Sequence, residues 1–198
     1  MPSKRYHTIV DAALDLFVRK GFRATGIDAI VSAAAVSKQT LYVDFPNKDR
    51  LMAAAVERYS AQWCEWFFET VEERAETPVD RIGAFFDVLD AWSRDENFRG
   101  CLAARALAEF PEPSHPVHRA AQQHREAVGA RLLGMIEKAG LRVPTRAKAL
   151  ADQLMLLATG AIDSAVAAPQ ARPARNAKAV AALLLAEAGL EGRDEIQR

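Results

Sequence analysis

The stretch Thr25 to Lys48, TGIDAIVSAAAVSKQTLYVDFPNK, restricts what this chain can fold into more than any other part of it. Ile27, Ile30, Val31 and Ala34 recur at helical spacing and give a short helix one apolar face. Thr25 with Asp28 three residues on has the form of a capping box, which sets the entry of that helix. Ala35, Val36 and Ser37 then interrupt the period. Val36 supplies an apolar plug and Ser37 an N-cap for a second helix over about 38–45. That helix turns Leu41 and Phe45 inward and leaves Lys38, Gln39, Thr40 and Tyr42 outside, and Pro46 stops it by disfavouring helical geometry at Phe45.

A capped helix with Lys, Gln and Thr in its exposed first turn suits the major groove of B-DNA. Gln reaches an adenine edge in bidentate fashion, Lys a guanine edge or a phosphate, and the Thr methyl meets a thymine methyl. The Tyr42 hydroxyl is placed for a phosphate. Asn47 can cap the next helix, whose N-terminal dipole together with Lys48 favours a second phosphate.

The run GFRATGIDAIVSAAAVSKQTLYVDFPNKDRLMAAA resembles the N-terminal DNA-binding region of the TetR family of one-component bacterial transcriptional regulators. Gly21-Phe22, Thr25, Ala34, Val36-Ser37, Leu41-Tyr42, Phe45 and Lys48-Asp49 carry the likeness, which covers roughly the first quarter of the chain without a gap. The resemblance implies an all-α fold of about nine helices. A three-helix helix-turn-helix DNA-binding domain would occupy residues 1–47, and a larger helical ligand-binding and dimerisation domain residues 48–198. It also implies that Thr25, Ser37, Lys38, Gln39, Thr40, Tyr42 and Lys48 touch DNA. Two positions depart from the family pattern. Ala35 stands where Gly is common, so a positive φ there carries strain, and Gly26 replaces a second hydroxyl, which puts one phosphate contact in doubt.

Charge is distributed in a way that agrees. Lys plus Arg equals Asp plus Glu at 26 each, yet residues 1–50 hold eight Lys or Arg against five Asp. A basic head on an acidic body meets a polyanion with one end only. No apolar run approaches the ~18 residues of a membrane span, and the N-terminus leads into an amphipathic helix rather than a signal segment, so a cytoplasmic protein is expected. Cys64 and Cys101 are too few for a disulfide framework and lack zinc-site spacing; buried free thiols are the default expectation.

Helical periods continue throughout. A supporting helix over about 4–20 ends at Gly21, and Lys4 and Arg5 at its start are within reach of backbone phosphates or simply solvated. A long helix over about 48–76 keeps Leu51, Ala55, Tyr59, Trp63, Trp66 and Phe67 in period, and Thr77-Pro78 opens another carrying Ile82, Phe85, Phe86, Leu89 and Trp92. Short and long helices follow over about 101–110 and 117–139. Two Ala-rich helices close the chain over about 144–167 and 174–188, lined by Leu150, Leu154, Leu157, Val180, Leu183 and Leu184 among others. By resemblance these last two form a homodimer interface, and a polar tail from Gly189 to Arg198 frays.

Aromatic side chains concentrate between Tyr59 and Phe98. Trp63, Phe67, Phe86, Leu89 and Trp92 are the candidate lining of an apolar effector site, with Cys101 beside them and Arg105 and His118 as polar anchors. The segment GCLAARALAEFPEPSHPVHRAAQQHR also resembles part of the ligand-binding body in one branch of the family. His115, His118 and His124 with Glu112 suggest a metal cluster only weakly, because the Pro-rich loop favours capping or solvated histidines. Cys101 would be a sensor of electrophiles or oxidants if Arg99 or Arg105 stabilised its thiolate.

The implied function is that of a ligand-responsive transcriptional regulator. It would be a homodimeric repressor released from a double-stranded DNA operator by a small, largely apolar effector, with no metal, cofactor or membrane. The competing reading is a helical-bundle small-molecule-binding protein or enzyme that does not bind DNA. No Gly-rich phosphate loop, nucleophile elbow or paired Glu-x-x-His helices support an enzyme.

Overall fold

The computed structural model describes residues 3–190, and among them there are nine α-helices and no strands. In order they are α1 (Lys4–Lys20), α2 (Ile27–Ala33), α3 (Lys38–Asp44), α4 (Lys48–Arg74), α5 (Pro78–Ser93), α6 (Leu102–Glu109), α7 (Pro116–Lys138), α8 (Pro144–Ala167) and α9 (Pro173–Glu187), with a 3-10 turn at Pro169–Ala171. The expected fraying of the tail falls, from residue 191 onward, outside the described residues.

Local chemistry fixes the helix ends. The Ser3 hydroxyl accepts from the Tyr6 N–H to open α1, and Gly21 at φ 86° closes it by donating its N–H to the Phe17 carbonyl. Thr77 caps α5 ahead of Pro78 at the first helical position, the asymmetry expected of proline. Asn47 accepts from the Arg50 N–H at 2.9 Å and so caps the start of α4 as the sequence indicated.

The chain packs as two compact units, one of residues 1–63 with 101–125 and the other of residues 64–100 with 126–198. In the first, Ile9, Ala13 and Phe17 of α1, Ile30 of α2, Leu41 of α3 and Leu51 of α4 share one buried cluster with Leu102 and Ala106 of α6 and Val117 and Ala121 of α7. Phe22 joins it fully buried, with its ring 5.1 Å from Phe17 and 5.6 Å from Phe110. The core under the helix-turn-helix therefore extends well past residue 47, where the sequence placed a domain boundary.

In the second unit α8 packs on α9 and on α5, and α5 packs on α9. Small residues permit the close approach: Ala158, Ala161 and Ala165 of α8 and Ala174, Ala177 and Ala181 of α9 are buried. Two acid–base pairs tie α5 to α9, Asp87 with Lys178 at 2.6 Å and the buried Asp90 with Arg175 at 3.3 Å. Gly100, at φ 78°, has no substitute, because a Cβ there would lie 2.9 Å from a Val166 methyl.

Three expectations need correction here. Val180 and Leu183 do not line the interior but are exposed, as is Trp66 of α4, because alanines and Leu185 occupy the inward face of α9. Both cysteines are half-buried rather than buried. Finally, α8 is long and apolar enough by composition to cross a bilayer, since many alanines raise its mean hydropathy without a continuous run of large side chains. Leu150 and Leu154 of α8 are nonetheless buried within its own unit, and Asp152 and Asp163 are exposed on the same helix.

Candidate nucleic-acid interface

The turn between α2 and α3 keeps its form despite Ala35. This alanine takes φ 53°, while Val36 donates its N–H to the Val31 carbonyl at 3.0 Å and closes the end of α2. A left-handed alanine costs about 1–2 kcal/mol, so the surrounding packing imposes the conformation. Ser37 then caps α3: its hydroxyl accepts from the Thr40 N–H at 3.0 Å and lies 2.8 Å from the Thr40 hydroxyl. Leu41 and Phe45 are buried, and the Phe45 ring packs on Tyr6 at 4.7 Å.

The opposite face of α3 is open to solvent. Lys38, Gln39, Tyr42 and Val43 are exposed there, and Thr40 is half-buried. Val43, 70% exposed, was missed in the sequence, although an exposed valine on a groove-reading face is a ready partner for a thymine methyl. Lys38 is not a bare charge, since its ammonium sits 2.6 Å from an Asp28 carboxylate oxygen.

Two further side chains fix the attitude of α3. Arg5 grips Asp44 through parallel bonds of 2.9 Å from Nε and Nη2. The Arg5 hydrogen bond holds the Asp44 carboxyl below its ordinary range. Arg5 is thus tied to the far end of α3. The 39-residue separation left no local signal of this pair in the sequence.

Thr25 does not cap α2. The helix begins one residue later, after Gly26, and the Thr25 side chain is buried, with its hydroxyl donating to the Gly21 carbonyl at 2.8 Å. The unpaired carbonyls at the end of α1 win that hydroxyl. Lys48 serves the same neighbourhood by donating from Nζ to the Phe22 carbonyl at 2.7 Å.

Arg105 of α6 completes this ring of donors, reaching the Val18 carbonyl at 3.0 Å and the Phe17 carbonyl at 3.5 Å. A cation at the C-terminus of α1 also meets the negative end of its dipole. His118 is hydrogen-bonded through Nδ1 to the Phe110 carbonyl at 2.9 Å. Both expected polar anchors are therefore committed to main chain.

The other candidate ligand residues divide between the units. Trp63 and Cys101 meet at His124 in the first, where the Trp63 ring lies 5.3 Å from the imidazole and Cys101 Sγ 3.7 Å from Nε2. Phe67, Phe86 and Leu89 are buried in the second, where Phe67 and Phe86 both pack on Phe85 and Trp92 packs on Phe98 at 4.9 Å. A shallow groove of about 200 Å³ in that unit is lined by Leu141, Arg146, Leu150 and Leu184 and by none of these aromatics. Among the described residues no three His, Cys, Asp or Glu side chains gather as metal ligands. His115 instead accepts from the Val117 N–H at the start of α7 and faces Asp49.

A capped, outward-facing helix seated on a short partner helix across a tight turn defines a helix-turn-helix protein. Residues 9–55 match the bacterial regulatory proteins of the tetR family, and residues 78–184 match the tetracyclin repressor-like C-terminal domain. The chain belongs to the TetR family. Among curated relatives, the HTH-type transcriptional regulator YjdC of Escherichia coli is 23% identical over 60% of this chain and 62% of its own length. The transcriptional regulator AcuR of Cereibacter sphaeroides is 27% identical over 54% of this chain and 50% of its own. This chain thus spans less than two thirds of either relative. Among solved structures, a putative TetR transcriptional regulator (sav143) of Streptomyces avermitilis superposes with a TM-score of 0.82 at 26% identity, covering 96% of this chain and all of that one (100%). SCO4454, a TetR-family regulator of Streptomyces coelicolor, gives 0.80 at 23% identity over 93% of this chain and 95% of its own.

Proposed function

We propose that this protein is a cytoplasmic, non-enzymatic transcriptional regulator that binds a double-stranded operator as a homodimer and leaves it when a small, largely apolar effector binds. The observation that carries the reading is α3, capped by Ser37 and anchored through Leu41 and Phe45, with Lys38, Gln39, Tyr42 and Val43 facing solvent. Gln39 reads a base edge, Lys38 a base or phosphate, and Ser37, Thr40, Tyr42 and the α4 start at Lys48 approach the backbone. Thr25 contributes through its main chain, its hydroxyl being engaged.

Exposed apolar side chains on the last two helices support dimerisation. Leu156 and Val166 of α8 and Val180 and Leu183 of α9 present large hydrophobic groups to solvent in the single chain, an arrangement that marks an interaction surface. Two copies joined there must hold their α3 helices about 34 Å apart to enter successive major grooves. An effector releases the operator only by binding more tightly to a conformation that breaks this spacing.

The test is selection of bound fragments from genomic DNA by the purified full chain, followed by the same selection with Gln39→Ala. A recovered near-palindrome whose base preference changes at one position in each half-site is the expected result. Recovery no better than random competitor at moderate ionic strength would refute the reading.

A further inference from the structure

Cys101, His124 and Ser60 form a chain of polar groups that DNA binding does not use. Cys101 is half-buried at the N-cap of α6, where the positive end of the helix dipole favours a thiolate. Its Sγ lies 3.7 Å from His124 Nε2, and His124 Nδ1 lies 3.0 Å from Ser60 Oγ. With its proton on Nδ1 and donated to Ser60, the imidazole leaves Nε2 free to accept the thiol proton. The ring is 5% exposed and is flanked by Tyr59 at 5.5 Å and Trp63 at 5.3 Å. Burial lowers its pKa to about 4, so it is a neutral acceptor at neutral pH. The arginines expected to stabilise a thiolate are elsewhere: Arg99 donates to the Glu96 and Phe98 carbonyls, and Arg105 to the end of α1.

We propose that Cys101 is a modification site for small α,β-unsaturated carbonyl compounds, with His124 as its base and Ser60 orienting that base, and that the adduct releases DNA. The Cys101 proton passes to His124 Nε2 as the sulfur attacks the β-carbon. An S–C bond forms, and the alkene π pair moves to the α-carbon. The α-carbon then takes the proton back from the imidazolium. The net change is addition of S–H across C=C, with no oxidant or reductant.

The consequence for DNA follows from what comes after Cys101 in the chain. Leu102, Ala103 and Ala106 belong to the core beneath the helix-turn-helix, and Arg105 holds the Phe17 and Val18 carbonyls at the end of α1. New bulk at the first residue of α6 works directly against that docking. This inference rests on the regulator reading above and names the effector's chemical class.

The test uses the full chain carrying Cys64→Ser, which leaves Cys101 as the single thiol of two. Methyl vinyl ketone is the probe. Mass mapping follows adduct formation, and fluorescence anisotropy follows binding to a fragment recovered from genomic DNA. Alkylation of Cys101 should slow at least about tenfold in His124→Gln, below the hundredfold and more that a positioned base can supply. Ser60→Ala should slow it in the same direction and decides the matter if His124→Gln does not fold. The adduct should weaken DNA binding about tenfold or more. Cys101→Ser, in which serine is itself a good N-cap, should bind DNA normally and ignore the probe. Alkylation rates unmoved by either substitution, or an adduct that binds DNA as before, would overturn the proposal. Failure of the unmodified protein to select any duplex would instead sink the regulator reading and leave the alkylation rates intact.

Discussion

Acid should destabilise this protein through His124 before it reaches any carboxylate pair. The imidazole titrates at about 4 in the folded chain and at 6.5 when solvated, because burial penalises the cation. Between those values the unfolded chain binds a proton that the folded chain does not, so stability falls as pH falls from 6.5 towards 4. At 1.36 kcal/mol per pKa unit the whole shift is worth about 3 kcal/mol, and integration of the linkage relation puts about 2 kcal/mol of that loss between pH 7.5 and pH 5. Such a loss is a large part of the ~5–15 kcal/mol that holds a typical domain. Urea unfolding at fixed protomer concentration, at pH 7.5, 6 and 5, measures it. His124→Gln should lower stability at pH 7.5 yet show a pH dependence flatter by about 2 kcal/mol over that range. Parallel curves for the two proteins would refute the assignment. Asp44 cannot mimic the effect. Its Arg5 partner lowers its pKa from 3.8, so the stability it contributes persists above that value and is lost only as pH falls through the lower folded one.

Lys48→Ala should weaken binding to all duplexes and lower the salt slope by ~0.9 if its ammonium exchanges the Phe22 carbonyl for a phosphate; an unchanged slope in a filter-binding titration would confine it to positioning α4. Leu156→Asp together with Leu183→Asp should shift the protein to monomer in sedimentation velocity and abolish operator binding, and a retained dimer would place the interface elsewhere. Ala35→Gly should raise stability by up to about 1 kcal/mol, because glycine adopts φ 53° without strain. A lower melting temperature would mean that the alanine methyl contributes more than the conformation costs.

The helix-turn-helix was legible because its information is local. Ser37 as N-cap, Leu41 and Phe45 facing in, Pro46 as stop and Asn47 as the next cap each act within a few residues, and each holds in the structure. Thr25 was misread for a physical reason. A hydroxyl near two helix ends can serve either, and the carbonyls at the end of α1 lie on a segment that returns to it only in the folded chain. Arg5 with Asp44 and Arg105 with Val18 are likewise contacts across 39 and 87 residues. Periodicity reports which side chains face inward and is silent about what they face. The reading of Val180 and Leu183 as interior failed on the same ground, since an apolar stripe in an Ala-rich helix does not reveal whether it meets its own chain or solvent.

The cluster in which α1, α2 and α3 share buried residues with α6 and the start of α7 has a practical consequence. A fragment cut after residue 47 would expose the side of Phe22, Leu41 and Phe45 that Leu51, Leu102 and Phe110 cover in the intact chain. Anyone grafting this reading head onto another regulator would have to transplant two separate stretches of sequence, and a chimera that carried only the first would fail through insolubility before its specificity could be judged.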